Sequence, residues 1–312
     1  MKKEKIKDAV AETSGTGFNS GQCRRWLSGI PYEVAFWRSY YRNKRSMKQL
    51  FGWSQYRQEC RLDNFDVASY ISGLGVVDPV IVDVGCALSY AFGSLFGGKE
   101  YPVIYLDPLA PFYNKILDDY SLDLPKIKFG MGETLSLVFP ADSVSLFHIR
   151  NALDHSVRPI TVIWQALIAL HNGGVLYLNH KPNEAEHEGY IGFHQYNIDC
   201  IGGRLTIWNR EERIDVATAL EGYAEVEASV TDEGRIIGVV RKTAPIPADH
   251  PAVEEGNRYA SGMLQTMMTY LHSAPASVSY QLRRGAFSVG HGFMRMLPTK
   301  LVRRLKRIVT GK

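Results

Sequence analysis

The hydrophobic positions of this chain change period along its length. The segment "PYEVAFWRSYYRNKRSMKQLFGW", from Pro31, spaces Phe36, Tyr40 and Met47 for one apolar helical face, and Pro31 suits the first turn of that helix. Residues 1–30 are polar and Gly/Ser-rich and read as loose, and a second short helix fits Asp66 to Leu74. From residue 80 onward, short β-branched runs alternate with helical stretches. Strands are expected at 80–84, 102–106, 126–130, 144–149 and 174–179. Helices are expected at 109–118 and at 159–171, the latter with Ile163, Leu167 and Leu170 on one face. "HNGGV" (171–175) reads as a glycine stop that ends this helix and begins a strand.

Further on, "GGRLTIWN" (202–209) predicts another strand and 214–221 a helix. Two more strands in "AEVEASVTDEGRIIGVVRKT" meet at an Asp-Glu-Gly turn. The Pro-rich "APIPADHPAV" (244–253) reads as a linker. Strand–helix alternation closed by a hairpin predicts a Rossmann-like, doubly wound, mostly parallel seven-stranded α/β sheet with an antiparallel edge. N-terminal helices (1–77) would precede the sheet domain (78–243), and a linker with a helical extension (244–312) would follow it.

Composition narrows the classes. At 312 residues and 45% hydrophobic, the chain can bury a full core. No apolar run approaches 18 residues, and the charged start "MKKEKIKDAV" has no apolar stretch behind it, so a cytoplasmic location is expected. Cys23, Cys60, Cys86 and Cys200 are too scattered for a zinc site or a disulfide framework. The net charge of +4 hides an asymmetry: ten Lys and Arg and no acid lie in 256–312, against 26 basic and 32 acidic residues before it.

Ligands of such sheets bind beyond the carboxyl ends of the strands, so those residues carry the candidate chemistry. The first strand ends in "VIVDVGCALSY", with Asp83, Gly85, Ala87 and Ser89. A dinucleotide loop needs three glycines to approach a pyrophosphate, and two of the three are absent here. Asp107, 22 residues beyond Gly85, is placed to accept hydrogen bonds from ribose hydroxyls. "GMGETL" follows the third strand and "HIRNALDHS" the fourth.

Taken in order, "VIVDVGCALSY", "IYLDP", "MGETLSLVFPADSV" and "LHNGGVLYL" resemble the motifs of class I S-adenosylmethionine-dependent methyltransferases, over roughly residues 78–243. The resemblance implies that the first loop (Asp83, Gly85, Ala87) cradles the cofactor's methionine moiety and that Asp107 holds its ribose. It also implies that Met131, Gly132 and Glu133 flank the adenine. Family members usually carry Gly at the position of Ala87, often again at Ser89, and many have an acid where this chain has Val144, Ser145 and Leu146. At negative φ Ala87 costs little, and a slightly wider loop is the expectation.

Methyl transfer to a hydroxyl needs in-line approach and a base for the hydroxyl proton. "NALDHS" and "NHKPNEAEHEGYIGFHQYNID" offer His155, His180 and His194 as that base, with Asp154 to orient or assist. Asp154 and His155 equally fit a helix cap, His180 a strand end, and "GFHQYN" an aromatic lid. His180, Glu184 and His187 sit in an Asn/Pro/Gly-interrupted loop, so no metal is expected. "EVAFW", "NALDH" and "GFHQYN" resemble bacterial sugar-modifying methyltransferases of surface-polysaccharide assembly, which implies a sugar or lipid-linked glycan acceptor. A small-molecule methyltransferase of secondary metabolism and a degenerate binding scaffold are the rival readings.

"LPTKLVRRLKRIVTGK" (297–312) predicts a basic amphipathic helix suited to an anionic membrane surface, such as the inner face of a membrane. Each of its basic residues would contribute about 1 kcal/mol there. The tail lacks interleaved aromatics and the body is acidic, so nucleic acid is not an expected partner.

Overall fold

A computed structural model describes residues 20–42, 47 and 54–296; the basic tail at 297–312, residues 1–19 and most of 43–53 lie outside the described residues. The central sheet has seven strands: β1 (Ile81–Val84), β2 (Val103–Asp107), β3 (Lys128–Phe129), β4 (Val144–Arg150), β5 (Leu170–His180), β6 (Ala224–Val230) and β7 (Ile236–Lys242). Their order is β6-β7-β5-β4-β1-β2-β3. All neighbours are parallel except β7, which runs antiparallel to both β5 and β6. This is the expected Rossmann-like sheet with an antiparallel edge pair.

The period-2 alternation sends Val82, Val84, Phe147, Ile149, Leu176 and Leu178 to one face, under helix α4 (Pro159–Ala169). Ile81, Leu146, Val175 and Tyr177 point to the other face, with Phe92, Phe96 and helix α2 (Val67–Gly73). Both faces are covered, which is why the parallel strands read as nearly continuous apolar runs. A separate three-stranded antiparallel sheet holds 197–201, 204–208 and 213–215. Only its middle strand is legible in the sequence, and the helix expected at 214–221 shrinks to Val216–Ala219.

Two expectations need correction. Helix α1 spans Ser20–Arg42 and runs through Pro31, so residues 20–30 are not loose and Pro31 is not in the first turn. An interior proline costs about 3 kcal/mol. Against this, Cys23, Trp26, Leu27, Ile30 and Val34 are all buried on one stripe, and each full side-chain burial stabilises by about 1.5–3 kcal/mol. The burial wins. "HNGGV" likewise does not stop a helix. Helix α4 ends at Ala169, and Leu170 is already extended, as the first residue of β5. Gly173, at φ +79, instead accommodates the register shift that separates Val144 from Leu146 against β5.

Helix α3 (Ala110–Asp119) follows β2. Beyond β7, the Pro-rich stretch loops to His250, whose Nδ1 accepts from the Ala252 amide at 3.2 Å and caps helix α5 (Pro251–Tyr259). Helices α6 (Gln265–Ser273) and α7 (Val278–Met296) complete the described chain. Gln165 of α4 donates to the Ala252 carbonyl at 2.8 Å, and Tyr280 stacks on Phe112 of α3 at 5.8 Å. Tyr32 of α1 meets Phe287 of α7 edge-on at 5.4 Å.

Candidate active site

The carboxyl ends of β1, β2 and β4 converge. Gly85, directly after β1, has φ +67, and a Cβ there would lie 2.4 Å from the Cβ of Ala152 in the loop after β4. Only glycine lets these two loops close on one another. The next turn corrects an expectation: Ala87 adopts φ +46, the left-handed region, and not a negative φ. Its amide donates to Asp107 Oδ2 at 3.1 Å, while Oδ1 accepts from the Leu109 amide at 2.7 Å. Burial pushes the Asp107 carboxyl up to about 7 despite these two bonds. A carboxylate has about four lone-pair positions, so two remain for further donors such as ribose hydroxyls.

The other cofactor candidates have partners of their own. Asp83 faces into the core, where its carboxylate meets His148 Nδ1 at 2.7 Å. His148 is sandwiched between Phe92, at 4.4 Å, and Tyr177, at 5.8 Å. Burial raises the Asp83 carboxyl against the pull of His148. Met131 is buried in the cluster that holds Leu88, Tyr105 and Tyr113. Gly132 backs onto Val162 of α4, where a Cβ would come within 2.8 Å. Glu133 Oε1 accepts from the amides of Val157, at 2.7 Å, and Arg158, at 3.4 Å, just ahead of α4. Its buried carboxylate thus does the work of a cap for a helix with no side-chain cap of its own.

The acceptor-side candidates are brought together. Asp154 and His155 form a single 3-10 turn, Leu153–His155, and His194 lies on the segment leading into strand 197–201. Asp154 Oδ2 stands 2.9 Å from His194 Nδ1 and 3.5 Å from His155 Nε2, and Oδ1 lies 3.9 Å from His180 Nδ1. Burial would raise the Asp154 carboxyl, but His155, His194 and His180 together hold it well below the usual carboxylate range. For His194 burial disfavours the imidazolium, yet the bond and charge of Asp154 raise its pKa above the ordinary value. His180, fully buried, is pushed down to about 3 and is neutral. His187, from the rejected metal trio, does not join this cluster.

Sequence reasoning missed the cover over the site. Trp26 Nε1 donates to the His155 carbonyl at 2.8 Å, and its ring lies 4.7 Å from Phe193. Glu33, two helical turns further along, raises the pKa of both Asp107 and His194 by its charge. The signal was present: the spacing of Cys23, Trp26, Leu27 and Ile30 continues the apolar period of α1 backward through Pro31. Beside the cluster lies a cavity of about 200 Å³, with Trp26, Tyr190 and Tyr196 on its walls and Gln195, Asn209 and Arg210 among its polar groups.

The strand order and its antiparallel edge pair make this a Rossmann-like α/β fold. No family model and no curated protein matches the chain. Solved structures do resemble it. An S-adenosylmethionine-dependent methyltransferase from Clostridium acetobutylicum aligns over 59% of this chain and 93% of its own, at 10% identity and TM-score 0.35. The 16S rRNA N2 G1207 methyltransferase of T. thermophilus, in complex with AdoMet and guanosine, aligns over 60% and 41%, at 15% identity and TM-score 0.33. The CurJ carbon methyltransferase aligns over 78% and 71%, at 12% identity and TM-score 0.39. Likeness of this degree assigns neither activity nor acceptor; those rest on the residues above.

Proposed function

We propose that this protein is an S-adenosylmethionine-dependent methyltransferase that methylates a hydroxyl of a sugar or glycan. One observation carries the reading: an unbroken line of contacts from Asp107 through Ala87 and Gly85 to Ala152 and on to the Asp154 cluster. It joins a buried acid with free lone pairs to a histidine pair across one glycine-tight loop. Gly85 and Ala87 would border the cofactor and Asp107 would accept its ribose hydroxyls, so the residues present fit the group. Bound there, S-adenosylmethionine would supply an electrophilic methyl group.

The chain's own part is to position the acceptor and take its proton. Asp154 fixes the tautomer of His194 by accepting from Nδ1, which leaves Nε2 as the base. Trp26 and Phe193 pack over one side of His155. The aromatic walls and polar groups of the adjoining cavity suit a pyranose, which offers apolar C–H faces and hydroxyl edges.

Titration with S-adenosylhomocysteine, alongside Asp107→Ala, tests the cofactor. Micromolar binding lost in the variant supports it, and absence of binding to either leaves the scaffold reading. Product analysis on sugar against aromatic acceptors tests the substrate class. The basic tail adds the proposal of a cytoplasmic enzyme acting at an anionic membrane surface. The exposed apolar stripe of Val278, Leu282 and Val289 on α7 lies just before it and supports this reading. Unchanged liposome binding after deletion of 297–312 would remove it.

A further inference from the structure

The spacing of histidines along the sequence gives no reason to expect a metal, but the fold assembles a different set. Asp154, His155 and His194 each present one ligand atom, all within 4.8 Å of one another. Two ligands held about 2.1 Å from one ion stand about 3.0–3.4 Å apart, in octahedral or tetrahedral geometry. The separations of His194 Nδ1 and His155 Nε2 from Asp154 Oδ2, 2.9 and 3.5 Å, fall at that spacing. A hydrogen-bonded pair accounts for His194 but leaves the approach of His155 without a purpose.

A second observation points to the same place. His180 is 1% exposed, and neither of its ring nitrogens has a hydrogen-bond partner among the described residues. Its Nδ1 faces Asp154 Oδ1 at 3.9 Å, and that buried oxygen is also without a partner. Buried polar atoms are seldom left this way unless an ion or water completes the site.

We propose that Asp154, His155 and His194 bind one divalent transition-metal ion, beside the buried and unpartnered His180. The inference rests on the reading of this site as the acceptor side of a methyltransferase. Two imidazoles and a carboxylate suit Zn²⁺, Mn²⁺ or Fe²⁺ in preference to Mg²⁺ or Ca²⁺, and three ligands leave open positions. An acceptor hydroxyl at an open position becomes more acidic, its proton leaving to water. Without the ion, the Asp154–His194 hydrogen bond stands and His194 acts as the base. The turn bearing the ligands is pinned by Gln195 N to Asp154 O, at 3.3 Å, and by Trp26 to the His155 carbonyl.

The test is titration of chelator-stripped full-length protein with CoCl₂, followed by visible absorption and calorimetry. The expected result is one Co²⁺ per chain with d–d bands and no thiolate charge-transfer band. Asp154→Asn and His194→Gln should each weaken binding about tenfold or more, while His187→Ala leaves it unchanged. No saturable binding by the wild type, or undiminished binding by both ligand variants, overturns the proposal. S-adenosylhomocysteine titrated into the same stripped protein separates the two readings. Cofactor binding without Co²⁺ binding overturns the metal site alone. Co²⁺ binding without cofactor binding overturns the methyltransferase reading and leaves the metal site standing.

Discussion

His194 and Asp154 are 40 residues apart in the chain, yet Nδ1 of one lies 2.9 Å from Oδ2 of the other. The carboxylate is almost fully buried, while the imidazole keeps 26% of its side-chain surface. One partner is therefore a fixed acceptor and the other can reach a substrate.

Asp154→Asn should lower methyl transfer about 10²–10⁴-fold and leave S-adenosylhomocysteine affinity nearly unchanged. Calorimetry beside a turnover assay checks both; equal loss of the two would mean a structural role.

The pH profile should report the same pair. In chelator-stripped protein the rate rises as pH passes the raised pKa of His194, above the ordinary value of about 6.5. The inflection moves down in Asp154→Asn. Because the folded pKa is the higher one, the stability this imidazole contributes is full below about 6.5 and lost as pH climbs through the folded value. Denaturant melts across that window show the loss.

Asp107→Ala should weaken S-adenosylhomocysteine binding about 30–100-fold, the equivalent of hydrogen bonds to a charged acceptor. With the wild-type carboxyl pushed up to about 7, affinity should improve between pH 6 and 8 as the carboxylate forms. Loss of that pH dependence in the variant is the check. For the ligand-free protein the sign reverses: the raised folded pKa makes this group's contribution fall as pH rises from about 4 to 7.

The loop should respond oppositely at two neighbouring positions. Gly85→Ala would put a methyl group on Ala152 at positive φ, at a cost of about 1–3 kcal/mol, and Ala152→Gly should restore part of it. Ala87→Gly relieves a left-handed alanine and should stabilise by about 0.5 kcal/mol after the added freedom of the unfolded chain. Thermal melts of the three variants decide.

Gly256→Ala should unseat α5 from α4. A Cβ there would come within 2.4 Å of the Gln165 amide, which is held by Ala252 and Ser136. Losing those bonds costs about 1–3 kcal/mol, and proteolysis should then begin in 251–296.

The chain's local periods determined the sheet. β-Branched runs alternating with helices, and the hairpin around Gly234, placed the parallel strands and the antiparallel edge because a strand's burial pattern is written in adjacent residues. The position of Asp107 was legible for the same reason, since a strand end needs only local sequence to find. Only the tertiary structure decided the rest. Pro31 reads as a helix start until the partners of Trp26 and Ile30 are in place, and burial then carries the helix through it. The glycines after α4 read as a stop until β4 pairs with Leu170 on one side of them and with Val175 on the other, which carries the strand across them. Ala87 takes a positive φ in the folded loop that alanine's own propensity does not encode. The union of Asp154, His155 and His194 depends on how two loops are packed after folding. Spacing along the chain carries no information about a contact closed through space.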